Sequence, residues 1–287
     1  MSSSSISDTD REPAPTQTST AGSMTPSAER VRTIAVVSHG DPGVIAGATA
    51  RLQAICERAG VEVVEGEDVD LAVVLGGDGT TLRALHRFLG TPVPVLGINF
   101  GRVGFLSAMG RDAMEDGLAR AFAGERRVVE LPTLVVNADG VEAVAVNDAV
   151  CATSQIGRMM EFAWSVGGED LGVQPCDGVI CATSTGSTAY NLSSGGPVLV
   201  WGLDAMAVTF VSPHSLHARP LVVPRGLELR VRNETRATTA KVIADGIPVA
   251  DLGEGKEAAV RLGERRALLA LLPEMTFFHR YRDTFAS

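Results

Sequence analysis

Between residues 33 and 122, short uninterrupted apolar runs alternate with stretches whose apolar residues recur every three or four positions. The runs at 33–38, 61–64, 69–75 and 93–98 predict strands buried on both faces, because a parallel sheet covered by helices has no polar side. Residues 44–59 put Ile45, Ala48, Leu52 and Ile55 on one helical face and stop at Gly60. Residues 80–89 and 111–122 predict two more helices. Strand and helix in alternation indicate a parallel α/β sheet. After about residue 127 the pattern changes to short strands, at 127–136, 142–151, 161–166, 179–183, 205–211, 227–231, 241–244, 258–262 and 267–271. Asp139-Gly140 and Asp245-Gly246 are hairpin-type turns, and one helix is expected at 187–194. The chain therefore divides into an α/β domain over 31–126, a β-rich domain over 127–265 and a C-terminal segment, 266–287, expected to pack back on the first domain. A ligand cleft is expected between the two domains.

Residues 1–30 are rich in Ser, Thr, Pro and Ala and nearly free of large apolar side chains. Such a segment buries too little surface to offset its ordering entropy and reads as a disordered tail. Met24 offers a second start. The tail has neither the basic nor the apolar region of a secretory signal. No uncharged apolar run reaches the roughly 18 residues of a membrane span. Cys56, Cys151, Cys176 and Cys181 form no CxxC pair, so they read as reduced, buried thiols of a cytoplasmic protein.

The net charge of -9 argues against nucleic acid or an acidic membrane as partner. Among 25 basic residues only two are lysines, Lys241 and Lys256, and neither follows a glycine loop. That excludes the P-loop and the lysine-based phosphate grip of protein kinases. Phosphates, if bound, must be held by other means.

Five motifs carry candidate chemistry. Leu75-Gly-Gly-Asp-Gly-Thr80 follows a buried strand and opens a helix, where free N–H groups and the helix dipole favour an anion. Asp78 is a carboxylate inside that anion site, suited to accept a hydroxyl proton or to hold a magnesium ion; the plainer alternative is a helix cap in a tight turn. Asn99-Phe-Gly-Arg-Val-Gly-Phe105 again puts glycines at the carboxyl end of a strand. Asn147 and Asp148 are adjacent, so both can serve one ligand only at a strand end or a bulge. The stretch 176–197 is dense in hydroxyls around a helix start, with Tyr190 able to stack on a base or nicotinamide. His214 and His217 lack a third ligand in register, so a structural turn is the expectation and no metal site is assigned.

In this order and spacing the motifs resemble the NAD kinase family over residues 75–246. The run DGVICATSTGSTAYNLSSGGP and the segment PHSLHARP are specific to it, whereas GGDGT is shared with lipid kinases and phosphofructokinases. The resemblance implies a Rossmann-like α/β N-terminal domain and a β-sandwich-like C-terminal domain, with the active site in the cleft between them. It implies phosphoryl transfer from ATP, or inorganic polyphosphate, to the adenosine ribose 2′-hydroxyl of NAD, a divalent metal such as magnesium, and a homodimer or homotetramer. By the same resemblance Asp78 is the catalytic base and Gly79 a loop contact. Asn147 and Asp148 bind the nucleoside parts of NAD, and Asp177 contacts it. Thr188, Ala189, Tyr190, Asn191, Leu192 and Ser193 line the dinucleotide site, and Arg158 lies near the added phosphate. Four positions depart from the family pattern: Asp148 for Glu, Pro175 for Arg, Ser184 for Pro and Ile247 for Gln. They bear on substrate preference, Pro175 on the choice between NAD and NADH. The rival readings are a lipid-type kinase of the GGDG superfamily and a catalytically weak NAD(P)-binding sensor.

Overall fold

The structure is a computed structural model that describes residues 25–27, 29–101, 104–155 and 158–286. Residues 1–24, which hold most of the expected tail, and Arg102 and Val103 of the second motif lie outside the described residues.

The first layer holds β1 (Thr25–Ser27), β2 (Thr33–Ser38), α1 (Pro42–Ala59), β3 (Glu62–Val63), β4 (Leu71–Leu75), α2 (Asp78–Arg87), β5 (Val95–Asn99), β6 (Ser107–Gly110), α3 (Met114–Phe122) and β7 (Arg126–Leu131). β4 and β5 are buried along their whole length, which is why their sequences show no alternation. α1 begins two residues before the helix expected at 44–59. Asp41 caps it, accepting from the amides of Gly43 and Val44, and Pro42 needs no amide partner there.

The second part runs through β8 (Leu134–Ala138), β9 (Val141–Ala145), β10 (Asp148–Thr153), β11 (Met160–Val166), β12 (Glu169–Cys176), β13 (Gly178–Ala182), α4 (Tyr190–Ser193), β14 (Ala205–Val211), β15 (Leu221–Pro224), β16 (Leu229–Asn233), β17 (Ala240–Ala244), β18 (Ile247–Leu252) and β19 (Glu257–Leu262). β20 (Ala267–Leu271) and α5 (Phe277–Phe285) end the chain. Two six-stranded antiparallel sheets result, ordered β15-β14-β13-β10-β17-β18 and β12-β11-β16-β19-β8-β9. They enclose one core: Phe162 and Leu229 from one sheet meet Cys181 and Val208 from the other, and Trp164 stands edge-on to Phe210 at 5.2 Å. β20 leaves this sandwich and inserts between β7 and β5 of the first sheet.

Several sequence expectations are revised here. The strand expected at 127–136 breaks at Pro132 into β7 and β8, which belong to different sheets, so sheet membership changes at Pro132. β1 pairs with β7 inside the stretch expected to be a tail. The strand expected at 142–151 breaks at Val146 and Asn147, for a reason given below. The helix expected at 187–194 splits at Ala189 into a 3₁₀ turn over Gly186–Thr188 and the single turn α4. β12, β15 and β18, not expected from the sequence, are edge strands carrying Pro175, Pro224 and Pro248, which an interior strand would not tolerate. All four cysteines are free and buried, and burial pushes the Cys151 thiol up to about 12.

Candidate active site

Asp78 is the first residue of α2, directly after the buried strand β4. Gly77 caps the helix without a side chain, and a Cβ on Gly77 or Gly79 would meet nothing within 4 Å. Space is open where an anionic group would approach the helix end. The Asp78 carboxylate turns the other way. Its Oδ2 accepts from the Phe105 amide at 2.8 Å and its Oδ1 from the Leu106 amide at 3.2 Å. Gly104 makes this possible, since a Cβ there would overlap the carboxylate. Burial pushes the Asp78 carboxyl above the ordinary aspartate value; the two amides and the positive charge of Arg280 pull it down without cancelling that effect. A carboxylate moved toward neutrality is better matched to taking a hydroxyl proton.

A second carboxylate organises the sandwich side. Asp245, at φ +47° in the turn between β17 and β18, accepts the amides of Val146 at 2.6 Å, Asn147 at 2.8 Å and Asp148 at 2.9 Å. These bonds draw the backbone off the β-ladder, which ends β9 and frees Asn147 and Asp148 from strict alternation. The adjacent pair is thus at a strand end, as both need to be to face one ligand. The fourth donor to Asp245 is His86 Nε2, at 2.5 Å, from the last turn of α2. One helix therefore carries Asp78 at its start and, about 12 Å along, holds the Asn147–Asp148 break at its end. Burial pushes the Asp148 carboxyl up to about 6, and the neighbouring Asp245 charge adds to the shift.

The hydroxyl-rich stretch closes on the same break. Thr183 donates to the Val146 carbonyl at 2.6 Å and accepts from the amides of Thr185 and Gly186. Gly186 lies so close to the Asn147 backbone that a Cβ would overlap it. Ser187, Thr188 and Ser193 donate to carbonyls of the loop itself. Asn191 is spent on the carbonyls of Ser187 and Pro197 and on Thr209. These polar side chains shape the loop through hydrogen bonds to its backbone and to neighbouring strands. Among the described residues, Asn147 Oδ1, Ser184 Oγ and Thr185 Oγ1 are buried without a protein partner. Gly79, Ala189, Tyr190 and Ser193 are exposed along the rim, with Thr188 and Leu192 half-buried.

Asp177 and Arg158 stand apart. β10 and β13 are antiparallel, with Asp148 opposite Ala182 and Ala152 opposite Gly178. Asp177, whose carbonyl accepts from the Thr153 amide, therefore sits at the far end of these strands, about 20 Å from the Asn147 end, and the exposed Arg158 follows that end in the chain. Groups around the candidate site that residue order alone did not bring forward are His86 and Arg280; the contacts that identify them span 159 and 202 residues along the chain. Among the described residues no three His, Cys, Asp or Glu side chains cluster as a metal site, and no helix is long and apolar enough to cross a membrane.

The ATP-NAD kinase N-terminal domain family matches residues 14–126, and the ATP-NAD kinase C-terminal domain family matches residues 146–272. A NAD kinase of Gemmatimonas aurantiaca is 37% identical over 230 residues, covering 78% of this chain and 79% of that protein. The crystal structure of an NAD kinase from Archaeoglobus fulgidus in complex with ATP superimposes with a TM-score of 0.73 at 29% identity, covering 88% of this chain and 97% of that one. Yeast NADH kinase complexed with NADH shares the fold, with a TM-score of 0.77 at 22% identity over 90% of this chain and 88% of its own. The lipid-type alternative finds no support in these likenesses. By both domains and by the extent of its relatives, the chain belongs to the NAD kinase family, a family of phosphotransferases.

Proposed function

We propose that the chain transfers the γ-phosphoryl group of ATP to the 2′-hydroxyl of the adenosine ribose of NAD, yielding NADP and ADP, with Asp78 as general base. The observation that carries this assignment is the clamped, half-buried Asp78 carboxylate beside the open glycine end of α2. Asn147 and Asp148 hold hydroxyls and polar base atoms of the nucleoside, and the 183–193 loop forms the wall on which Tyr190 can stack. Asp78 takes the proton as the ribose oxygen bonds to phosphorus and the bond to the β-phosphate oxygen breaks in line. Magnesium bound to the triphosphate of the donor would supply charge neutralisation there, an ion that keeps water and phosphate ligands and needs few protein ones.

Two finer points belong to the same reading. Asp177 and Arg158 lie away from Asn147 within one chain, which favours a homodimer or homotetramer in which a second copy brings them to the ligand; light scattering of the purified protein tests it. Pro175, in place of a basic side chain, favours comparable use of NAD and NADH, and a hundredfold preference for NAD in kcat/KM would defeat that. Buried, free thiols support a cytoplasmic setting. Incubation with Mg–ATP and NAD is expected to form NADP, and Asp78→Asn to slow it by about 10²–10⁴-fold; binding without turnover in the unaltered protein would instead support a sensor. Polyphosphate in place of ATP reads the donor class.

A further inference from the structure

We propose that the C-terminal helix α5 is a positioning element of the kinase site, and that Arg280 acts within it by seating the 104–107 turn and setting the charge around Asp78. The proposal rests on the assignment of Asp78 as the base. α5 lies beyond both matched domains, which end at residues 126 and 272, so the family match assigns it no role.

Three contacts connect α5 to the turn that holds Asp78. Arg280 Nη2 donates to the Ser107 carbonyl, next to Leu106, whose amide binds Asp78 Oδ1. The Phe105 ring, on the residue whose amide binds Asp78 Oδ2, stands 6.1 Å from the Phe277 ring and 5.6 Å from the Phe285 ring. Phe277 is in turn wedged edge-on against Trp201 at 5.5 Å. The helix thus grips the turn on both sides of the two donating amides.

The choice of arginine needs its own reason. Arg280 is only 3% exposed, and among the described residues its Nε has no hydrogen-bond partner. Burying a guanidinium costs several kcal/mol unless other charges compensate. A single carbonyl hydrogen bond does not require a cation, and a methionine would fill the space without that cost. The anionic groups that act on Arg280 are Asp78 and Asp283, the latter one residue past Arg282 on the exposed side of α5. Asp78 is the more buried of the two. Arg280 therefore compensates the carboxylate while the two amides orient it, and both effects are delivered by the same short turn.

The test uses the full chain with Mg–ATP and NAD and compares R280Q, R280K, D78N and D78N/R280Q. R280Q keeps a donor for the Ser107 carbonyl and removes the charge; R280K keeps the charge. Misplacement of a catalytic group by about 1 Å can cost about a hundredfold. R280Q is expected to lower kcat by about tenfold to a hundredfold with KM for NAD and ATP within about threefold, while R280K stays within about threefold of the parent. In the D78N background the R280Q change is expected to cost less than about twofold, because a residue acting through Asp78 has nothing left to position. An R280Q enzyme within threefold of the parent, or R280K as poor as R280Q with both losses tracking a lowered Tm, overturns the proposal and leaves α5 as a structural clasp. The same R280Q cost with and without Asp78 also overturns it. D78N activity within threefold of the parent defeats the base assignment instead, an outcome read separately from the R280Q and R280K comparison.

Discussion

Asp78, half-buried, and Asp148, buried, are the two carboxylates of the proposed site, and their surroundings treat them oppositely. Burial pushes both above the ordinary value, but Asp78 is given two amide donors and a cation, whereas Asp148 is given a second carboxylate, Asp245. The first arrangement holds an anion in one orientation and keeps it available as a base. The second leaves an acceptor under electrostatic pressure, ready to gain from a hydroxyl donor on a ligand. Two carboxylates are thereby assigned different work by what faces them, not by residue type.

Removing the proposed base should give the largest effect. Asp78→Asn is expected to lower kcat by about 10²–10⁴-fold, with KM for NAD little changed. Next comes Gly104→Ala, which leaves every polar group in place but drives a methyl into the space of the Asp78 carboxylate. A kcat loss of about a hundredfold is expected if the carboxylate must move; steady-state kinetics alongside Tm separates this from unfolding. A Gly104→Ala enzyme with parental kcat would show that the amide clamp on Asp78 is dispensable.

Much of the fold is legible in the apolar pattern because the central strands β4 and β5 are buried throughout and the strands of the sandwich are short and turn-bounded. The edges are not, since a strand paired on one side tolerates Pro175, Pro224 or Pro248 and loses its alternation. The motifs bearing Asp78, Asn147 and Asp148 are legible because glycines and polar residues interrupt apolar runs at strand ends. What supports them is not. Asp245 reaches Val146–Asp148 across 97 to 99 residues, and Arg280 reaches Ser107 across 173. No local period encodes such a contact. Even the hydroxyl density of 183–193 is legible only as chemistry, while the structure spends Ser187, Thr188 and Ser193 on the loop's own carbonyls and Thr183 on that of Val146.

The two carboxylates separate further with pH. Asp148 titrates near 6, so about nine-tenths of it is ionised at pH 7 and about a tenth at pH 5. KM for NAD is expected to rise about tenfold over that interval, and Asp148→Asn to show a raised KM that no longer varies with pH. Stability runs the other way. A carboxyl raised in the folded state contributes stability that is full below its unfolded value near 4 and is lost as pH rises through 6. Asp148→Asn is therefore expected to raise Tm at pH 7 and to change it little at pH 4. Asp78 enters kcat and Asp148 enters KM, so the two titrations separate in one set of profiles; a pH-independent KM in the parent protein would remove the acceptor role from Asp148.

The smallest effect should come from the contact between the two sites. Of the four donors to Asp245 named above, His86 alone comes from the first layer, and its side chain is 29% exposed against 2% for Asp245. His86→Ala leaves Asp245 with its three amides, so the Asn147–Asp148 break persists, but its tether to α2 is gone. One hydrogen bond to a carboxylate is worth about 1.5–3 kcal/mol at most when buried, and less at a partly exposed site. KM for NAD is expected to rise about threefold and kcat to change by less than about twofold, with His86→Gln, which keeps a donor, lying between. If kcat falls as far as KM rises, α2 transmits the state of Asp245 to Asp78, and the two carboxylates are one coupled site and not two.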